Sequence, residues 1–142
     1  MEYVYFALAC REKLHGALTD PDKAEALEEI KQGRLLLQHG FSESGLAERY
    51  VGRLHQLRGE FAEAIPYLLA SRKKLNGTDL VAADQALVVS YVKTGHPNEA
   101  RRVIDNGIAH SGSYSKFYQR MLAELSLTER TNQTSSSSEP PS

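Results

Sequence analysis

Among side chains that do chemistry, this sequence offers five histidines, one cysteine and a few basic runs. His15, His39, His55, His96 and His110 include no pair at i, i+4, the spacing that sets two imidazoles on one helical face for a metal. Cys10 has no second cysteine with which to chelate zinc or close an internal disulfide. Neither a glycine-rich phosphate loop nor a nucleophile elbow occurs. The remaining roles are architectural. His15, His39 and His96 adjoin turn glycines and His110 lies near one, where an imidazolium meets the negative end of a helix. Cys10, within an apolar stretch, is expected to be a small buried hydrophobe. The residues read as those of a binding protein and not an enzyme, with no cofactor and no metal.

The basic runs invite a nucleic-acid reading, and the charge balance argues against it. Seventeen basic and eighteen acidic residues leave a net charge of -1, where a duplex binder or a polybasic membrane-surface protein shows a basic excess. Arg72-Lys73-Lys74 falls just before Asn76-Gly77, where cations complement the end of a helix, and Arg101-Arg102 reads as a solvated face. No apolar run is long enough to cross a bilayer. Tyr3 to Cys10 superficially resembles a lipoprotein signal, but it lacks a basic n-region and follows Glu2. With a single cysteine, a reducing cytoplasm is the expected setting. The sequons Asn76-Gly77-Thr78 and Asn132-Gln133-Thr134 then read as chance matches.

The elements that must position these residues are helices. Apolar residues recur with helical spacing almost throughout, and no stretch sustains period-2 alternation. Seven helices are expected, with prolines and glycines as punctuation between them. The first spans about 2–15. The second has Asp20 as N-cap and Pro21 at its first position, and runs to about Gln38. The third starts near Ser44 and stops at Gly59. The fourth carries Phe61, Ile65, Leu68, Leu69 and Leu75 up to Asn76-Gly77. Thr78 caps the fifth, which ends at Gly95, and Pro97 opens the sixth, which ends near Gly112. The seventh places Tyr114, Phe117, Tyr118, Met121, Leu122 and Leu125 on one face. Residues 1–129 form the expected domain. Residues 130–142, rich in serine with two closing prolines, are expected to be a disordered tail.

A helix–turn–helix frame recurs along the chain. Tyr50 to Ile65 reads as helix, glycine turn, helix, and the frame returns from Val88 to Ala100. A weaker copy runs from Tyr5 through Gly16 to Ala26. Gly59 and Gly95 lie 36 residues apart, and Ala26, Ala64 and Ala100 are spaced by 38 and 36. Small residues such as Ala9, Gly52, Ala64 and Ala100 let paired backbones approach, and Leu8, Phe61, Ile65, Tyr91 and Ile104 fill the space between pairs.

In these residues the chain resembles the tetratricopeptide repeat (TPR) family, over about residues 3–110. The match lies at Tyr5, Leu8, Ala9, Gly16 and Ala26 in the first unit, and at Gly52, Gly59, Phe61, Ala64 and Ile65 in the second. In the third it lies at Leu87, Tyr91, Gly95 and Ala100. Glu48 and Asp84 stand where the family has its first aromatic, His55 replaces a tyrosine, and the interval exceeds the family's usual length of about 34. The resemblance implies an all-α, right-handed superhelix of three TPR-like repeats with the seventh helix as a C-terminal cap. In size and layout the chain is also similar to the small cytoplasmic chaperones of type III secretion, which hold aggregation-prone secreted subunits.

The resemblance further implies a concave groove lined by the first helix of each pair. Carried onto this sequence, its positions are Tyr3, Phe6, Cys10 and Lys13 in the first unit, and Leu46, Arg49, Arg53 and Gln56 in the second. In the third they are Ala82, Gln85, Val89 and Val92, with Lys93 beside them. Arg49 and Arg53 lie one helical turn apart with no evident acidic partner at that spacing, an arrangement suited to a partner's carboxylate. The expected ligand is a peptide or amphipathic helix of another protein, bound by an adaptor or chaperone. The alternative is an assembly subunit that stacks with its own copies or inside a larger complex.

Overall fold

The computed structural model describes residues 2–40 and 44–137. Among them it is all-helical: α1 (Glu2–His15), α2 (Asp20–Gln38), α3 (Leu46–Leu57), α4 (Phe61–Arg72), α5 (Gly77–Lys93), α6 (Pro97–His110) and α7 (Ser115–Ser137). A 3-10 turn over Gly112–Tyr114 leads into α7.

Where the ends differ from the sequence expectation, capping or packing is the reason. Thr19, not Asp20, caps α2, because Thr19 and Asp22 form a reciprocal capping box, and this leaves Asp20 as the first helical residue. α3 starts at Leu46 and not Ser44. Gly45 has φ +77, and a Cβ there would stand 2.9 Å from the Ser71 carbonyl, so the chain enters α3 by passing the end of α4. α4 stops at Arg72, short of Leu75, and α5 begins at Gly77 without a side-chain cap. Proline and glycine are not confined to the turns: Pro66 lies within α4, and Gly33, Gly52 and Gly107 lie within helices. Packing overrides propensity at Pro66, whose near neighbours Ala64 and Leu68 are fully buried. α7 runs to Ser137, beyond the boundary at 129, since extending a nucleated helix costs little. Residues 138–142 of the expected tail lie outside the described residues.

The two later turns are built alike. Gly59 and Gly95 both have φ +80. The Gly59 amide donates to the Gln56 carbonyl (2.9 Å) and the Glu60 amide to His55 (2.9 Å). At the same interval of 36 residues, the Gly95 amide donates to Val92 (3.2 Å) and the His96 amide to Tyr91 (2.7 Å). Each is a Schellman ending, in which a left-handed glycine lets two amides satisfy the last carbonyls.

Helices pack in chain order, each on the next. The backbones of odd-numbered neighbours also approach closely (α1 with α3, α3 with α5, α5 with α7), whereas among the described residues those of the even-numbered helices do not. The core accordingly divides into three consecutive clusters. Leu8, Ile30 and Leu54 centre the first, Leu68 and Leu87 the second, and Ile104, Tyr118 and Met121 the third. Gly52 permits the α3–α4 approach, since a Cβ there would lie 2.9 Å from Leu68 Cγ.

Two buried acids, Glu48 on α3 and Asp84 on α5, lie 36 residues apart, the interval that separates the Gly59 and Gly95 turns. Lys74 donates to Glu48 (2.7 Å). Asp84 accepts from Arg72 Nε (2.7 Å) and from the Tyr118 hydroxyl (2.6 Å), which joins α4, α5 and α7. A buried carboxylate is costly unless paired, so Arg72 and Lys74 do more than complement a helix end. Burial, then the bond to Asp84, pushes the Tyr118 phenol well above its usual range.

Tyr118 reaches Asp84 by lying across Gly107, where a Cβ would fall 2.2 Å from the ring. Gly107→Ala would normally gain about 1 kcal/mol of helix propensity. Here the clash should dominate and cost about 2 kcal/mol in urea unfolding. Tyr118→Phe should cost about 1–3 kcal/mol, because Asp84 loses a buried donor. A phenol raised in the folded state stabilises fully below its unfolded value of 10.0 and progressively less as pH climbs towards the folded value. Wild type should therefore lose more stability than Tyr118→Phe when unfolding is compared below and above that pH.

Candidate functional site

The odd-numbered helices present one continuous strip of depressions. Between α1 and α3 the opening is about 40 Å³, lined by Tyr5, Phe6, Leu46, Arg49, Tyr50 and Arg53. Between α3 and α5 it is about 220 Å³, with Arg53, Gln56, Ala82, Gln85 and Val89 among its walls. Between α5 and α7 it widens to about 460 Å³ over Val88, Val92, Met121 and Leu125, with Gln85, Val89, Lys93, Glu124 and Thr128 around them. A side lobe of about 260 Å³ reaches Phe117 and Arg120 at the start of α7. Arg53 is shared by the first two depressions, and Gln85 and Val89 by the next two.

Most of the expected groove residues meet along this strip: Phe6, Leu46, Arg49, Arg53, Gln56, Ala82, Gln85, Val89, Val92 and Lys93. Phe6 is 60% exposed and Val89 is 42% exposed, large apolar surface on a face that also carries charge. Cys10 and Lys13 are exposed on α1 and do not line these depressions. Cys10 is thus not the buried hydrophobe expected. Leu8 is the α1 side chain that enters the core, and two residues further on the helix has turned about 200° away. The side chain of Tyr3 lies outside the described residues.

The two arginines are already engaged. Arg49 pairs with Asp79 at the start of α5 (3.0 Å), an acid 30 positions away that no helical spacing rule would flag. Arg53 lies over the Tyr5 ring, 4.7 Å from its centroid. Burial raises the Tyr5 phenol, and Arg53 only partly opposes this. Glu48 and Glu60, the nearer acids, are taken by Lys74 and by Arg58 with His55. Burial tends to raise the Glu60 carboxyl, but hydrogen bonds from Arg58 and His55 outweigh it and hold the group below its usual value. Gln56 Nε2 donates to the Ala86 carbonyl (2.7 Å) and to Ser90 Oγ (2.8 Å), tying α3 to α5.

The α7 side of the strip was not foreseen from sequence, which assigned that helix to capping alone. Met121 and Leu125 belonged to its recognised stripe, and Arg120 and Glu124, one turn apart beside that stripe, were the available signal. Two histidines serve the scaffold: His55 stacks on Tyr67, and His96 Nδ1 meets Thr94 Oγ1 at 2.9 Å. Among the described residues no cluster of His, Cys, Asp and Glu is arranged to hold a metal ion. No helix there is long and apolar enough to cross a membrane.

Fold and face together define an all-α chain of serially packed helices with a lined strip along one side. No family model, curated protein or solved structure matches it. The chemistry of any ligand has to be read from the strip itself.

The strip contains side chains that bridge helices and others that make no such bridge. Gln56→Ala should lower stability by about 1–2 kcal/mol through its lost buried bonds. Val89→Ala and Lys93→Ala should change it by no more than about 0.5 kcal/mol. Urea unfolding of the three variants checks this division, and equal losses would refute it.

Proposed function

We propose that the chain is a right-handed stack of three TPR-like repeats closed by α7, acting as an adaptor or chaperone that holds a peptide or amphipathic helix of another protein along its odd-helix face. The serial core supports a repeat stack over a bundle with one centre. The packing asymmetry supports its curvature: a row whose odd helices touch while its even helices stand apart bends with the odd helices on the inside. The repeated glycine turns and the close approach at Gly52 support the TPR-like pairing.

One observation carries the binding role: the strip is continuous from α1 to α7 and combines exposed Phe6, Leu46 and Val89 with charged and amide side chains. Folded monomers seldom leave apolar surface joined to a concave, polar-rimmed face without a use for it. An adaptor or chaperone needs no cofactor.

Self-association is a second reading, favoured by α1. Phe6, Cys10 and Leu14 fall at i, i+4 and i+8, with Phe6 60% and Leu14 77% exposed, so the first helix leaves an apolar stripe uncovered. A mass that rises with concentration in sedimentation equilibrium would favour it.

The binding role is tested by selecting a displayed random-peptide library on the protein. Selected peptides should lose at least tenfold in affinity for Val89→Asp and should bind Arg34→Glu, changed on α2, as they bind wild type. Equal binding to both variants, with circular dichroism unchanged, would refute an odd-face site.

A further inference from the structure

The strip is not uniform. It opens stepwise, from about 40 Å³ between α1 and α3 to about 220 Å³ between α3 and α5 and about 460 Å³ between α5 and α7. Side chains of the protein itself account for the narrow part. Arg53 covers Tyr5 across the α1–α3 seam, while the Arg49–Asp79 pair and the Gln56 bonds span α3 to α5. Between α5 and α7 the joining hydrogen bond, Tyr118 to Asp84, lies buried beneath the surface. Above it, Val89, Val92, Met121 and Leu125 form an apolar floor that no bridging side chain crosses among the described residues.

Charge marks what this opening would accept. The depressions of the strip are lined by the cations Arg49, Arg53, Lys93 and Arg120 and by one carboxylate, Glu124, in a chain whose net charge is -1. Arg49 and Arg53 are spent on Asp79 and Tyr5. Lys93, at the end of α5, lines the α5–α7 cleft itself, and Arg120, near the start of α7, lines the side lobe that shares Gln85, Met121 and Glu124 with it; neither forms an ion pair among the described residues.

We propose that the α5–α7 cleft is the anchoring subsite of the strip, and that it takes an aliphatic segment of a partner protein flanked by carboxylates. The aliphatic residues seat on Val89, Val92, Met121 and Leu125, and the carboxylates meet Lys93 and Arg120. Arg49 and Arg53 hold the scaffold in place and contribute little to the partner. This rests on the odd-face binding reading and narrows it to one cleft and one ligand chemistry.

The test uses three synthetic peptides of equal length with leucines at i, i+3, i+4 and i+7 repeats, the other positions being all glutamate, all lysine or all serine. Fluorescence anisotropy on the whole protein should show the glutamate peptide binding at least tenfold more tightly than the lysine peptide, with the difference shrinking in high salt. Lys93→Glu with Arg120→Glu, both exposed positions, should reverse that order. Val89→Asp should weaken the glutamate peptide at least tenfold, and Arg53→Glu less than threefold. Circular dichroism confirms that each variant is folded.

No binding by any of the three peptides, no preference in wild type, or an order unchanged by the charge reversal would overturn the proposal. Library-selected peptides that remain sensitive to Val89→Asp but ignore Lys93 and Arg120 would also overturn it while leaving the odd-face reading intact. Insensitivity to every odd-face change would remove both.

Discussion

Asp84 is the constraint on which the far half of the molecule depends. It is 1% exposed, and a carboxylate so deep is tolerable only because Arg72 from α4 and Tyr118 from α7 converge on it. Those contacts fix where α7 sits relative to α5, and hence the width of the cleft above them. Gly107 belongs to the same arrangement, because the Tyr118 ring occupies the space where a side chain would stand. The seat of the closing helix is therefore set by geometry and by charge together, while Met121 and Leu125 supply the apolar contact beside it.

Glu48, 36 residues earlier, has a simpler solution, Lys74 from the turn after α4. Both buried acids thus draw their cations from the single run Arg72-Lys73-Lys74, one on each side of α4. That run ties α4 to α3 through Lys74 and to α5 through Arg72. A charged pair in low dielectric favours one separation.

Much of the scaffold was legible in the sequence, because helical periodicity and glycine punctuation are local signals. α1 falls where the pattern places it, and the turns at Gly59 and Gly95 appear with the conformation that glycine there implies. Legibility failed wherever the deciding contact is distant in sequence. α3 opens only at Leu46 because Gly45, left-handed, passes close to the Ser71 carbonyl, and Arg49 seemed unpaired because Asp79 lies 30 residues on. Pro66 and the intrahelical glycines misled for the same reason, since neighbouring helices decide their cost. In the candidate site, the positions carried over from the family pattern fell largely on the strip. The contribution of α7 did not, since that helix lies outside the repeated units. Cys10 and Lys13 share the α1 face of Phe6 but lie further along the helix than the residues that line the depressions.

A core divided into three clusters has a dynamic consequence. Each cluster is sealed mainly by helices adjacent in sequence, so losing one end need not unseat the other, and opening proceeds inward from the margins. The margins are unequal. α7 is moored by a buried phenol bond as well as by apolar contact, whereas α1 commits Leu8 to the interior and leaves Phe6 and Leu14 in water. Amide protons of α1 would thus be the first to exchange with solvent, and those of α5, gripped on both sides, among the last. The molecule would come apart directionally, shedding its first helix while the wide cleft at the other end keeps its shape.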